Sequence, residues 1–290
     1  MKPPDSSLEK VSRCGSVVSI RSGEEYIIPE HAKPSGTLAP GITIREFASD
    51  QCGARGMNTS TATFDPGVEL SYHKHDVSEA ATVLEGNAVI SVEGRAYKLG
   101  PFDCIHLPAG VAHRVTNPSR KSTTIIHTAF ASPTPLREFV PDDFIAQDRP
   151  KDSSDNKCPE HFAELAARTS YRLAAHTRFY DLFGGRFGAV GICGGYGEFN
   201  PGSSLPCHFH AYDESITIVK GEAICEVKGR RYRLSRYGTA VVPQGLPHRF
   251  LNMSGEIMAM IWVYAGSEPT RTITNARYCL GQWKWKGQVK

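Results

Sequence analysis

The feature that most constrains this chain is a long stretch of sequence that occurs twice at a fixed spacing. Residues 71–86, SYHKHDVSEAATVLEG, recur as PCHFHAYDESITIVKG at 206–221. Residues 67–117 align with 202–252 without a gap, and 18 of the 51 aligned positions are identical. Chance does not preserve spacing over this length, so the chain contains a duplicated domain.

The identical positions in each copy include side chains that bind metals. Alternate side chains of a strand share a face, so His73 and His75 point the same way and Glu79 has the same parity. His113 follows the turn PAG at 108–110 and begins another strand. The second copy supplies the equivalent set: His208, His210, Glu214 and His248.

Three imidazoles and one carboxylate suit a divalent transition metal, namely Fe, Mn, Ni, Co, Cu or Zn. An octahedral ion held by four protein ligands keeps two positions for water, O₂ or substrate, which is typical of catalytic sites and not of closed structural ones. We therefore expect one metal in each copy, and the sequence leaves the identity of that metal open.

Both halves resemble cupins. The family pattern, G-x5-H-x-H-x3-E-x6-G followed by P-x-G-x-x-H-x3-N, is met at Gly67 through Gly86 with Pro108 through Asn117, and again 135 residues later. The resemblance implies two antiparallel jelly-roll barrels, each with a metal held inside by its three histidines and one glutamate. In one departure, the glycine that usually opens the second motif is Phe102 in the first copy and Tyr237 in the second.

Short β-branched runs separated by Gly, Pro and Asn turns predict an all-β fold of two tandem jelly-roll barrels. We expect an N-terminal arm (1–39), a first barrel (40–131), a linker (132–174), a second barrel (175–266) and a C-terminal tail (267–290). Residues 158–170, CPEHFAELAARTS, predict a short helix in the linker, because Phe162, Leu165 and Ala166 would share one face.

Charge and targeting signals exclude several classes of protein. The 33 basic and 30 acidic residues are mixed along the chain, without the basic stripe of a nucleic-acid binder. No apolar run is long enough to cross a membrane, and the first ten residues do not look like a signal peptide. We expect a cytoplasmic protein that acts on a small molecule, with homo-oligomerisation left open. The eight scattered cysteines, without any CxxC pair, are expected to be reduced.

Three functions fit a duplicated cupin with complete metal motifs. The first is a quercetinase-like dioxygenase in which Glu79 or Glu214 leaves the metal and acts as a catalytic base. The second is an isomerase or lyase of a sugar acid or hydroxy acid, and the third is a non-catalytic small-molecule binder. Within the second class, the three-residue spacing between HxH and Glu argues against the oxalate-degrading group, in which four is typical.

The lining of the two pockets is expected to differ. By strand parity, Ser71, Ala81, Val83 and Val115 face the first metal, and Pro206, Ile216, Ile218 and Phe250 face the second. The larger apolar side chains of the second set predict a narrower pocket, which we expect to carry the larger share of turnover.

Overall fold

The fold was analysed in a computed structural model that describes residues 11–14, 17–20, 24–29, 32, 36–148 and 158–284. Strands dominate both halves, and within the described ranges one four-residue α-helix, α1 (Ala276–Cys279), lies near the C-terminus. Short 3-10 helices occupy Asp50–Cys52, Leu165–Ala167 and Gly185–Phe187. No helix in these described ranges is long and apolar enough to span a membrane.

The described residues up to 148 contain fourteen strands: β1 (Val11–Cys14), β2 (Val17–Ile20), β3 (Tyr26–Ile28), β4 (Gly36–Ala39), β5 (Ile42–Ala48), β6 (Asn58–Phe64), β7 (Glu69–His75), β8 (Glu79–Glu85), β9 (Ala88–Val92), β10 (Arg95–Leu99), β11 (Cys104–Leu107), β12 (His113–Thr116), β13 (Thr124–Phe130) and β14 (Arg137–Phe139). Residues 158–284 contain eleven more: β15 (His161–Ala163), β16 (Thr177–Phe183), β17 (Cys193–Phe199), β18 (His208–Phe209), β19 (Glu214–Lys220), β20 (Ala223–Val227), β21 (Arg230–Leu234), β22 (Thr239–Val242), β23 (His248–Leu251), β24 (Met258–Tyr264) and β25 (Thr272–Ile273).

Each half closes into a barrel of two antiparallel sheets. In the first, β10-β9-β12-β7-β14 faces β15-β11-β8-β13-β6-β5-β4. In the second, β21-β20-β23-β18-β25 faces β1-β2-β3-β22-β19-β24-β17-β16. Apolar side chains from both sheets fill the interior of each barrel. This is the all-β, two-barrel jelly-roll architecture that the resemblance implied.

A third apolar core lies between the barrels, where the outer faces of the two large sheets pack together. It explains why β8 is buried at six consecutive positions and β24 at all seven. In β8, Ala81 and Val83 face the barrel interior while Ala80 and Leu84 face the other barrel. A strand covered on both faces gains stability from a continuous apolar run.

The barrels exchange strands. The arm strand β3 pairs with β22 of the second barrel, and the linker strand β15 pairs with β11 of the first. Residues 26–28 and 161–163 are related by the same 135-residue offset as the metal motifs, so the repeat is longer than the aligned core. Each exchanged strand follows a buried glutamate, Glu25 or Glu160, that reaches the opposite barrel.

The two glutamates make equivalent contacts. Glu160 accepts hydrogen bonds from Nε and Nη2 of Arg95 at 2.7 and 3.0 Å and from the Tyr97 hydroxyl at 2.6 Å. Glu25 does the same with Arg230, at 2.5 and 2.7 Å, and with the Tyr232 hydroxyl at 2.7 Å. The arginine and tyrosine that are identical in both copies therefore clamp the exchanged strand.

The linker and the barrel ends differ from expectation. In place of a helix over 158–170, the chain forms β15 and one 3-10 turn, because pairing with β11 outweighs local helix propensity. Strand pairing also extends beyond the expected barrel bounds, since β4 and β14 add to the first barrel and β25 to the second.

The expectation that all cysteines are reduced was wrong. Cys207 and Cys279 form a disulfide across 72 residues, because β25 returns the chain to β18 and carries α1 with it. Cys52 is also disulfide-bonded, whereas the buried Cys104, Cys193 and Cys225 are free thiols. Disulfides are typical of oxidising compartments, which is opposite to what the cytoplasmic expectation assumed.

The two positions that depart from the family glycine keep a glycine-like backbone. Phe102 and Tyr237 have φ of 67° and 66°, in the left-handed region. Such a conformation is unfavourable for an aromatic residue, so surrounding contacts must hold it. Phe102 packs on Tyr196 of the other barrel with ring centroids 4.9 Å apart, and the Tyr237 hydroxyl donates to Glu85 of the first. Both side chains thus join the barrels.

Candidate metal centres

The first ligand set is assembled by three strands that meet inside the first barrel. His73 and His75 end β7, Glu79 begins β8, and His113 begins β12 directly opposite His73. All four side chains are buried, and their ligand atoms lie within 4.8 Å of one another. The structure therefore brings together every residue that the sequence proposed for this centre.

The second set repeats this arrangement. His208 lies on β18 opposite His248 of β23, His210 follows the end of β18, and Glu214 begins β19. These four are equally buried, with ligand atoms again within 4.8 Å. The protein has two metal-binding sites, one in each barrel.

Backbone carbonyls orient the histidines. Nδ1 of His73 donates to Ser71 at 2.8 Å, and that of His113 donates to Val111 at 3.2 Å. In the second barrel, Nδ1 of His208 donates to Pro206 at 2.8 Å and that of His248 to Leu246 at 2.8 Å. With Nδ1 engaged, each ring presents Nε2 to the centre, which is how ligand histidines are commonly oriented.

In each set, the remaining histidine is oriented by a backbone carbonyl from the segment that follows its barrel. Nδ1 of His75 donates to the Leu136 carbonyl at 2.6 Å, and Nδ1 of His210 donates to the Thr270 carbonyl at 2.7 Å. Segments outside the aligned repeat thus complete both centres.

The donor atoms fit a metal. In the first site, Oε2 of Glu79 lies 3.3 Å from Nε2 of His75 and 3.0 Å from that of His113, yet all three atoms are buried without a hydrogen-bond partner. In the second, Oε2 of Glu214 lies 3.6 Å from Nε2 of His210 and 2.5 Å from that of His248, with the same lack of partners. Buried polar atoms are rarely left unpaired, and a divalent cation would satisfy all of them.

The electrostatics favour the protonation states of ligands. Burial lowers the pKa of His73 to about 3 and that of His210 to about 4, so both imidazoles are neutral at physiological pH. Burial alone would raise the pKa of Glu214, but His248 and His210 outweigh it and lower that pKa to about 2. The pKa of Glu79 is lowered in the same way, against burial, by His113 and His75. Neutral imidazoles and an ionised carboxylate are what a divalent ion requires.

Strand parity mispredicted one lining position in each site. Ser71 and Pro206 are exposed, and Leu70 and Leu205 occupy the barrel interiors instead. In the first barrel the cause is a shift of register, because His113 pairs with His73 but Val115 pairs with Leu70. A bulge reverses the parity of the residues before it.

The other lining predictions place residues where expected. Ala81, Val83 and Val115 belong to the first interior core, and Ile216, Ile218 and Phe250 belong to the second. Trp262 and Tyr264 add two more rings to the second interior, and the ring of Tyr264 lies 4.4 Å from that of His210. Strand pairing makes Thr128 and Phe130 the equivalent positions of the first barrel, because Phe130 pairs with Glu79 as Tyr264 pairs with Glu214. The ring of Phe130 lies 4.8 Å from that of His75, so the second pocket is the more aromatic only through Trp262 and Phe250.

Two arginines that lie near the metal sites were not predicted from the sequence. Arg137 on β14 lies directly opposite His75. Arg271 precedes Thr272, which pairs with Phe209, and so continues to the position opposite His210. The two are 134 residues apart, so an alignment at an offset of 135 does not match them. An alignment that allowed one gap would have matched PLREF with PTRTI, which share the pattern proline, any residue, arginine, any residue, apolar residue.

Comparisons with known proteins agree with this architecture. The cupin domain model matches residues 60–129 and 195–264. A search of curated protein sequences finds no match.

Solved structures with a similar fold include oxalate decarboxylase from Bacillus subtilis, at 14% identity and a TM-score of 0.64, with 83% of this chain and 76% of that one covered. Oxalate decarboxylase from Lactobacillus farciminis, in a formate complex, shows 15% identity, a TM-score of 0.63, and coverage of 80% and 84%. A further similar structure of the Bacillus subtilis enzyme, with a TM-score of 0.65, bears a title that refers to its Mn(II) centres. With two matches to the family model, two jelly-roll barrels and two complete ligand sets, this chain is a member of the cupin superfamily and specifically a bicupin.

Proposed function

We propose that this bicupin is a metal-dependent lyase that breaks a carbon–carbon or carbon–oxygen bond beside a carboxylate of a small acid. The observation that carries the proposal is the pair of ligand sets, in each of which two histidine Nε2 atoms and one glutamate Oε2 atom are buried and unpartnered. The similarity in fold to oxalate decarboxylases supports lyase chemistry over the dioxygenase reading favoured by the sequence. The argument from HxH-to-Glu spacing pointed away from that group, and we give it less weight than the fold.

The chain's own residues have three tasks in this reaction. Three histidines and one glutamate in each barrel hold the metal, which when bound supplies Lewis acidity toward a substrate oxygen. The carbonyls of Ser71, Val111 and Leu136 fix the imidazole orientations in the first barrel. We propose that Glu79 or Glu214 accepts or returns a proton when its carboxylate leaves the metal.

A dioxygenase is the second candidate, because of the aromatic lining of the second site. Phe250, Trp262 and Tyr264 are all buried around the ligand histidines, and Nε1 of Trp262 has no hydrogen-bond partner. An apolar pocket with one free donor would also accommodate a phenolic substrate. A non-catalytic binding role remains the third alternative.

The test is an assay of metal-loaded protein on two substrate panels, under air and under strict anaerobiosis. We expect small di- and hydroxycarboxylic acids to be consumed, with release of CO₂ or of an unsaturated product followed by carbon-13 NMR. Oxygen uptake with phenolic substrates, and none with acids, would favour the dioxygenase. Binding of either panel without turnover would favour the non-catalytic role.

Paired ligand variants would assign the working site. We propose that both sites bind metal and that the second carries the larger share of turnover, because its pocket is the more enclosed by large side chains. His208→Ala with His210→Ala should then abolish most activity, and His73→Ala with His75→Ala should leave most of it. The reverse pattern, in variants that keep the other metal, would make the first barrel the catalytic one.

A further inference from the structure

Each barrel's ligand-bearing sheet gains an edge strand from the segment after the barrel, and an arginine stands at the start of that strand or directly before it. Arg137 pairs with His75 in the register of β14 on β7, and Arg271 takes the equivalent place beside His210. Directly opposed residues of antiparallel strands project from the same face. The register therefore places both guanidinium groups on the faces that bear the ligand histidines.

The residues that lead into these two strands hold the histidines in place. Leu136 and Thr270, whose carbonyls accept from His75 and His210, are the residues immediately before the two arginines. An apolar residue stands two positions after each arginine, opposite the first histidine of each pair. These residues, Phe139 and Ile273, are 60% and 56% exposed. Both barrels thus repeat a rim of carbonyl, guanidinium and apolar side chain, although the rim lies outside the aligned motif.

Arg137 is a cation without a protein partner. Its Nε is buried and has no hydrogen-bond partner, and no carboxylate in the described ranges lies within ion-pairing distance of the guanidinium. Burial lowers the pKa of Arg137, and the charge of Glu79 offsets this in part. Arg137 is half-buried, and the burial of its unpartnered Nε beside the ligand histidines points to a ligand as its partner, because buried polar groups of a charge are normally paired.

Neighbouring charges do not supply that partner. Lys74 and Glu138, on the adjacent positions, pair with each other at 3.3 Å, and Asp76 accepts from the Leu136 backbone at 3.0 Å. Arg137 lines a cavity of about 580 Å³ together with His75, Leu136 and Gly110. That volume is within the usual range for small-molecule sites.

In the second barrel, the charge of Arg271 acts on His210 and Tyr264, and Arg271 has no ion-pair partner among the residues that the structure describes. The duplication of an unpaired arginine beside each ligand set argues against an accidental placement at either site.

We propose that Arg137 and Arg271 are the carboxylate receptors of the two metal sites, each binding one carboxylate of the substrate through its planar guanidinium. The inference deepens the proposed function, on which it rests, by naming the residues that recognise the acid. A guanidinium presents two parallel N–H groups that match the two oxygens of a carboxylate, so it selects acids over neutral molecules of the same shape.

The experiment compares oxalate with oxamide, its neutral isostere, by calorimetric titration of Mn(II)-loaded protein with verified metal content. Arg137→Gln and Arg271→Gln should each weaken oxalate binding at one site by about 10- to 100-fold, since hydrogen bonds between charged groups have that value. Arg137→Lys should recover part of the loss. Oxamide should bind weakly to every variant.

Arg114→Gln is the matched control. Arg114 directly follows the ligand His113 but points outward, where it pairs with Asp142 at 2.8 Å. The Arg114→Gln variant should bind oxalate with a Kd within twofold of that of the wild type. The inference is overturned if the Arg137 and Arg271 variants also bind oxalate within twofold, if Arg114→Gln loses as much affinity as they do, or if wild type binds none of oxalate, formate and glycolate.

The titration separates this inference from the proposed function. Oxalate that binds through the two arginines without being turned over would contradict the lyase and leave the receptors in place. Turnover of acids that survives both glutamine variants would contradict the receptors and leave the lyase in place.

Discussion

Replacing Glu160 by alanine should destabilise the protein more than the equivalent change at Glu25. The Glu160 side chain is fully buried and accepts three hydrogen bonds, and its partner Arg95 is only 9% exposed. Removing one member of a buried pair leaves an uncompensated charge and costs about 3–5 kcal/mol. Glu93, 3.6 Å from Arg95, offers partial compensation, so we expect a loss of free energy of unfolding near the lower end of that range.

Glu25 is equally buried, but its partner Arg230 is 31% exposed. Water can solvate Arg230 once the carboxylate is gone, so the screened pair should contribute less, about 1–3 kcal/mol. Urea unfolding followed by circular dichroism measures both values, and the glutamine variants Glu160→Gln and Glu25→Gln separate loss of charge from loss of volume. A cost for Glu160→Ala below about 1 kcal/mol, or one smaller than that of Glu25→Ala, would refute the reasoning.

Three further changes test other parts of the structure. Cys279→Ser, which opens the 72-residue disulfide loop to Cys207, should lower the free energy of unfolding by up to about 4 kcal/mol in denaturant titrations without reductant, and an unchanged midpoint would contradict this. Burial lowers the pKa of His127 to about 4, below its unfolded value, so the unfolded state binds more protons between these values and stability falls as pH drops through that window. At pH 5 the cost is about 2 kcal/mol, and it should be absent in His127→Gln when unfolding is compared at pH 7 and 5. His73→Ala and His208→Ala should each reduce bound metal from two ions per chain to one by atomic emission, and retention of two by either variant would exclude that histidine as a ligand.

The metal centres could be predicted from sequence because their information is local. All eight ligands lie in or beside strands whose spacing is preserved at one offset, and the structure gathers each set of four within 4.8 Å. The two-barrel fold followed from the same repeat. Ligand geometry tolerates little change, so the residues that carry it stand out even in a single sequence.

Contacts made by segments outside the aligned repeat, which fold back onto the barrels, could not be predicted in this way. Glu25 and Glu160 obey the offset, but each is an isolated identity before a dissimilar strand, YII against HFA. Arg137 and Arg271 lie beyond a one-residue difference in loop length. The pairing of Cys207 with Cys279 requires knowing that the tail folds back along β18. Ser71 was misplaced because a bulge has no signature in the pattern of apolar residues.

The reciprocal exchange of β3 and β15 has a consequence for how such a protein can diversify. A polypeptide with one repeat could cover the edge of its large sheet only by trading strands with a second copy, which makes it an obligate symmetric dimer. Joining two repeats in one chain turns that association into an intramolecular one that no longer depends on protein concentration. It also removes the symmetry, because the two pockets are then separately encoded. Val115 and Phe250, at equivalent places beside the two metals, show that divergence under way: one barrel can hold a small lining residue while its twin carries an aromatic one.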